Sequence, residues 1–155
     1  MKEPTILVID DDAGVRDFLT SVLAPEGFFV STANGGENGI NQALALKPDL
    51  ILLDLIMPGV NGEAVCNALR KNKQTKTIPI IVATGTTSSP QIENSIISGA
   101  EDFVSKPIDV EDLLIRIRAM LQCKDITDPI KRVSRYTDIV NEMKAKPHPP
   151  ASPSL

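Results

Sequence analysis

Five short β-branched or Leu-rich runs, separated by longer stretches with helical periodicity, constrain this chain more than any other feature. The runs are Thr5–Ile9, Phe28–Ala33, Leu50–Leu53, Ile80–Ala83 and Phe103–Ser105. Between them apolar residues recur at helical spacing, as in Val15, Phe18, Leu19 and Val22, then around Ile40, Val65, Ile92 and Leu113. Strands alternating with helices predict an α/β fold: one five-stranded parallel sheet, doubly wound, with helices on both faces. Each parallel neighbour must be reached by a crossover that packs on the sheet. Ile6–Ile9 and Leu50–Leu53 are apolar at every position, as strands buried on both faces are.

Punctuation supports this division. Ser88 or Ser89 precedes Pro90 as a helix start, and Asp109 to Asp112 resembles a capping box with Asp in the third place. Gly27 and Gly99 lie where helices should end. The glycine-rich stretch Gly35–Gly39 lacks the spacing of a dinucleotide-binding loop. After Leu121 the pattern changes. Asp128-Pro129 predicts a helix start, and Ile130, Val133, Tyr136, Thr137, Val140 and Met143 predict the packing face of a helix over 128–145. The Pro-rich end, 147–155, is expected to be extended or disordered. The expected organisation is a domain over 1–122, a helical extension or linker over 123–146, and the tail.

Composition removes several function classes. Aromatics are 3 %, so the core is aliphatic and base-stacking platforms are not expected. A net charge of −4 argues against general nucleic-acid binding by this chain. Cys66 and Cys123 form no CxxC, and the one histidine, His148, sits in the tail, which argues against zinc and histidine-triad chemistry. No apolar stretch approaches the roughly 20 residues of a membrane span, and the start has no signal-peptide core, so a cytoplasmic protein with no membrane partner is expected.

In an open α/β sheet, ligands bind beyond the carboxyl ends of the strands, where strand order reverses. At those ends stand Asp10, Asp11 and Asp12 after the first strand, Asp54 after the third, Thr84 and Gly85 after the fourth, and Lys106-Pro107 after the fifth. Clustered carboxylates raise one another's pKa unless a cation intervenes, and a hard, oxygen-seeking ion such as Mg²⁺ is the expected partner. A metal, an ammonium and a hydroxyl around one point suit a phosphoryl group, with one carboxylate as its acceptor. Asp12 reads better as the cap of the first helix than as a member of this cluster.

The ordered segments ILVIDDD, DLILLDLIMPGVNG, VATG and EDFVSKPI resemble a response-regulator receiver domain of two-component signalling, over about residues 4–122. The resemblance implies a flavodoxin-like fold with Asp54 as phosphoacceptor. Asp10, Asp11, Asp54 and the carbonyl of Ile56 would be the Mg²⁺ site, Thr84 the switch hydroxyl and Lys106 the phosphate-pairing cation. Pro107 would follow Lys106 through a bond that is often cis, and Phe103 would be the aromatic switch. It implies a histidine kinase or histidine phosphotransfer protein as partner, recognised through Ala13–Leu23, and a homodimer through the face of the fourth helix, fifth strand and fifth helix. Ile56 and Thr86 depart from the residues that tune water access in the family. The alternatives are a non-phosphorylated interaction module and an aspartyl-phosphate hydrolase. The hydrolase would want an acid at position 56. The helix over 128–145 is open to three readings: linker, dimerisation helix, or helix docked on the receiver. Whether the chain is a single-domain regulator or a piece of one with an output domain is likewise open.

Overall fold

The five runs pair into one sheet of order β2-β1-β3-β4-β5, with the fully buried strands β1, β3 and β4 at its centre. A computed structural model of the chain describes residues 2–85 and 89–146. The strands are β1 (Thr5–Ile9), β2 (Phe29–Ala33), β3 (Leu50–Leu53), β4 (Ile80–Thr84) and β5 (Asp102–Ser105), all parallel. The helices are α1 (Ala13–Leu23), α2 (Gly36–Leu46), α3 (Gly62–Lys71), α4 (Ser89–Ile97), α5 (Val110–Gln122) and α6 (Pro129–Ala145). Thr84 closes β4 and Asp102 opens β5, one residue beyond the expected runs in each case. Pairing across the sheet (Thr84 with Ser105, Asp102 with Ile81) carries polar residues into the strands.

Strand alternation sorts the core into two layers. Ile6, Val8, Leu50, Leu52, Ile81 and Val104 meet Leu19 and Leu23 of α1 and Leu113, Ile117 and Met120 of α5. Leu7, Ile9, Ile51, Leu53, Ile80 and Val82 meet Ala43 of α2 and Val65, Cys66 and Leu69 of α3. The glycine-rich stretch serves packing: a Cβ on Gly39 would lie 2.6 Å from the Ile9 side chain. Both buried cysteines are free thiols. Burial pushes the Cys66 thiol up to about 12, which leaves it inert.

Caps form where the sequence places them. Asp12 accepts the amides of Gly14 and Val15, Asp109 that of Asp112, and Asp128 that of Lys131. The Asp112 carboxylate turns instead to Arg116 at 2.9 Å and Lys144 at 2.7 Å. Gly27 ends the short 3-10 turn (Ala24–Glu26) that follows α1, and Gly99 lies just past α4; both take positive φ. Ser88, Thr86 and the tail 147–155 with His148 lie outside the described residues.

α6 is docked on α5, with Tyr136, Ile139 and Val140 in the α1/α5 core layer. Its packing face differs from the apolar stripe expected from sequence. Ile130 is 82 % exposed, Val133 and Thr137 are also exposed, and Arg132 is buried. The reason is electrostatic. Arg132 donates to the carbonyls of Ile126, Thr77 and Lys124 at 2.7–2.8 Å and to Glu101 at 3.0 Å. Glu101 also takes Arg70 and the amide of Ile80. A buried guanidinium so fully satisfied turns the helix about its axis. Tyr136 and Lys144 thereby hold Asp102 and Asp112, so α6 occupies the α5 flank of the face expected to pair two copies.

Candidate functional site

β1 and β3 are neighbours, with Ile9 opposite Leu53, so the residues that follow them, Asp10 and Asp54, emerge side by side. This is where strand order reverses: the chain leaves β1 toward β2 on one side and returns to β3 on the other. Asp10 and Asp54 are both buried, at 3 % and 7 % exposure. Asp11 is exposed on the loop, yet one carboxylate oxygen from each of the three lies within 4.8 Å of the others. Asp12 points away into its cap.

Lys106 reaches into this cluster from the end of β5. Its Nζ is 2.7 Å from Asp10 Oδ2 and 3.7 Å from Asp54 Oδ2. Its backbone amide is bonded to the carbonyl of Thr84, which ties β5 to β4 at the site. The Lys106–Pro107 bond is cis. Thr84 is buried at the end of β4. The amide of Ile56 donates to Asp54 Oδ1 at 3.5 Å, and the Ile56 side chain is half exposed at the mouth. Phe103 is 38 % exposed. Because Val104 enters the α1/α5 layer, Phe103 faces the opposite side of the sheet.

The electrostatics follow from this crowding. Burial pushes the Asp54 carboxyl above its ordinary value of 3.8, and the nearby Asp10 adds to the rise. Lys106 and the Ile56 amide oppose it without cancelling it. Three carboxylates facing one ammonium leave a surplus of negative charge, and all the donors are oxygens. The set therefore fits a hard divalent cation that keeps part of its water shell. Asp10, Asp11 and Asp54 would supply the ligands.

One residue of the site has no counterpart in the sequence reading. Arg16, on the first turns of α1, donates from Nη1 to the carbonyl of Asp10 at 2.8 Å. It clamps the β1–α1 loop that carries two of the three acids. Beside the site, Val15 and Phe18 of α1 and Pro107 and Ile108 line a mostly apolar groove that ends at Lys106.

The model of the response regulator receiver domain matches residues 6–118. The chain belongs to this family. The DNA-binding dual master transcriptional regulator RpaA of Synechocystis is 38 % identical over 139 residues, covering 90 % of this chain and 56 % of that protein. A match of that length extends at least to Ile139, inside α6. The DNA-binding response regulator MtrA of Mycobacterium tuberculosis is 39 % identical over 120 residues, or 77 % of this chain and 51 % of that protein. The chain thus spans about half the length of these relatives. Among solved structures, a CheY-like receiver domain from Methanospirillum hungatei superposes with a TM-score of 0.76 at 25 % identity, covering 81 % of this chain and 99 % of that one. A response regulator from Chloroflexus aurantiacus gives 0.74 at 31 %, covering 78 % and 99 %. Among the described residues no helix is long and apolar enough to cross a membrane.

Proposed function

We propose that this receiver is a phosphorylation-activated switch in which Asp54 accepts a phosphoryl group, with Mg²⁺, from the phosphohistidine of a histidine kinase or histidine phosphotransfer protein in the cytoplasm. The observation that carries the proposal is the pocket of Asp10, Asp11 and Asp54 with Lys106 reaching in. A carboxylate oxygen of Asp54 attacks phosphorus, the P–N bond breaks, and the imidazole leaves with the bonding pair. Mg²⁺, held by Asp10, Asp11, Asp54 and the Ile56 carbonyl, would neutralise charge on the phosphoryl oxygens. Lys106 moves its ammonium from Asp10 toward one of those oxygens, and the Thr84 hydroxyl takes another. Phe103 then turns into the space that Thr84 vacates, and the α4–β5 surface changes. The apolar groove of Val15, Phe18, Pro107 and Ile108 suits the docking of a helical donor, since it opens beside Lys106.

A hydrolase is disfavoured because position 56, where a second acid would assist turnover, holds a half-exposed isoleucine. DNA is not among the proposed partners of the described residues. Three cations of the 123–146 segment, Lys124, Arg132 and Lys144, are paired with Asp49, Glu101 and Asp112. A homodimer through the α4–β5–α5 face would use its α4 side, since α6 holds the other.

Intact-mass measurement after Mg²⁺ and acetyl phosphate tests the proposal. One added phosphoryl group is expected on the wild type and none on Asp54→Ala. No adduct on a wild type that binds Mg²⁺ would favour the non-phosphorylated interaction module.

A further inference from the structure

Two consecutive residues at the entry to β5 are held by α6. Glu101 takes the guanidinium of Arg132 at 3.0 Å, and Asp102 takes the hydroxyl of Tyr136. Asp102 also takes Arg116 at 2.5 Å and, through its other oxygen, the amide of Phe103 at 2.7 Å. β5 is four residues long and lies at the edge of the sheet, next to β4. An edge strand has a neighbour on one side only. Here the grip from α6 supplies the hold that a second neighbour would give. The strand that begins at Asp102 leads directly to Lys106, whose ammonium faces Asp10 and Asp54. The Tyr136 ring is buried in the α1/α5 layer, so its hydroxyl is fixed by packing as well as by hydrogen bonding.

We propose that Tyr136 is a positioning residue for the Asp54 site: through Asp102 it fixes β5 and so the Lys106 ammonium, which links the docking of α6 to the loading of the site. The proposal rests on the phosphoacceptor reading given above. Tyr136 touches none of the reacting groups, so its influence runs through the strand. Linkage is reciprocal: a clasp that favours loading is itself tightened by loading.

The probe is beryllium trifluoride with Mg²⁺, a stand-in for the phosphoryl group, titrated into the full chain and followed by fluorine NMR. Tyr136→Phe keeps the ring and removes the hydroxyl. It is expected to weaken binding about fivefold, the low end of coupling between sites. Arg135→Met, on the exposed side of α6, is expected to leave binding unchanged. In the unaltered chain, the saturating probe is expected to slow deuterium exchange over residues 136–143, and to have no such effect in Asp54→Ala. Equal or tighter binding by Tyr136→Phe overturns the proposal, as does α6 exchange that is indifferent to the probe. Should Tyr136→Phe not fold, the exchange comparison alone decides. A wild type that fails to bind the probe at all removes the phosphoacceptor reading, and this proposal with it; that outcome is distinct from bound probe without coupling.

Discussion

Replacing Arg132 by methionine tests whether α6 is fastened by its buried charge. Methionine keeps the length and the apolar stem and removes every donor. Arg132 is 3 % exposed and serves three carbonyls and one carboxylate oxygen. Its loss leaves Glu101 with Arg70 and the Ile80 amide, and leaves the carbonyls of Thr77, Lys124 and Ile126 short of a donor. Breaking a buried pair from one side costs about 3–5 kcal/mol, because the partner keeps its desolvation without its compensation. Against a typical total of roughly 5–15 kcal/mol, that is a large share of stability. A chain of this length should lose roughly 10 °C in Tm. Urea unfolding followed by far-UV circular dichroism, extrapolated to water, measures the loss directly. Arg135→Met serves as control, because Arg135 meets Glu142 at 3.8 Å with both side chains more than half exposed. Its cost should stay below about 1 kcal/mol. Combining Glu101→Gln with Arg132→Met should cost less than the two single losses together, since they share one interaction. If Arg132→Met costs no more than Arg135→Met, the argument that this network turns and fastens α6 is wrong.

Other consequences concern the site. Asp54→Asn should raise Tm near neutral pH. Burial and Asp10 hold the native carboxyl above 3.8, so the folded state binds that proton more tightly than the unfolded chain, and stability falls as pH rises through the native value. The gain should vanish at acid pH, where both states are protonated; a gain that persists there refutes the assignment. Asp112→Asn should behave oppositely. Burial raises its carboxyl, but the hydrogen bonds from Lys144 and Arg116 outweigh this and hold it below 3.8. Its contribution is present above 3.8 and is lost as pH falls through the native value, so melts across the acid range should show the two variants diverging in sign. Lys106→Met should tighten Mg²⁺ binding severalfold by removing the competing cation at 2.7 Å from Asp10, while slowing adduct formation with acetyl phosphate; calorimetry and intact mass read the two effects separately. Ile56→Asn should shorten the life of the adduct severalfold, since an amide can orient the water that isoleucine cannot; an unchanged decay rate would count against that role.

The sheet was legible because β1, β3 and β4 are aliphatic at nearly every position, and the candidate site could be nominated because most of its residues stand at or just past the carboxyl ends of strands. Burial and parallel pairing leave few other places for ILVI and LILL to go. The polar strand ends, Thr84 and Asp102, were not legible, since cross-sheet pairing rather than hydrophobicity recruits them. Arg16 was missed because its partner is a backbone carbonyl, which any residue offers. The helix of α6 was legible from its cap and spacing, but its orientation was not. Apolar spacing nominated Ile130 and Val133 for burial, and the structure buries Arg132 instead. Periodicity weighs residues by transfer from water. It has no means of seeing that three carbonyls and a glutamate from elsewhere in the chain wait at one point.

The same blindness affects net charge. Residues 1–122 carry 10 basic and 16 acidic side chains, and residues 123–155 carry 6 and 4. Taken as composition, these are an acidic body and a mildly basic appendage that could belong to different partners. In the fold they meet: Lys124 lies on Asp49, Arg132 on Glu101 and Lys144 on Asp112. The appendage therefore spends half its cations on the receiver. The pairs are unequal in strength, since the Arg132 pair is buried and the Lys124 and Lys144 pairs are partly exposed and open to screening. High salt should thus loosen the Lys144 end of α6 first, while the buried contacts of Arg132 and Tyr136 hold. The coupling proposed between α6 and Asp54 runs through Tyr136, so it should survive an ionic strength that already speeds deuterium exchange at the carboxyl end of α6; a coupling lost together with the Lys144 pair would count against the role given to Tyr136.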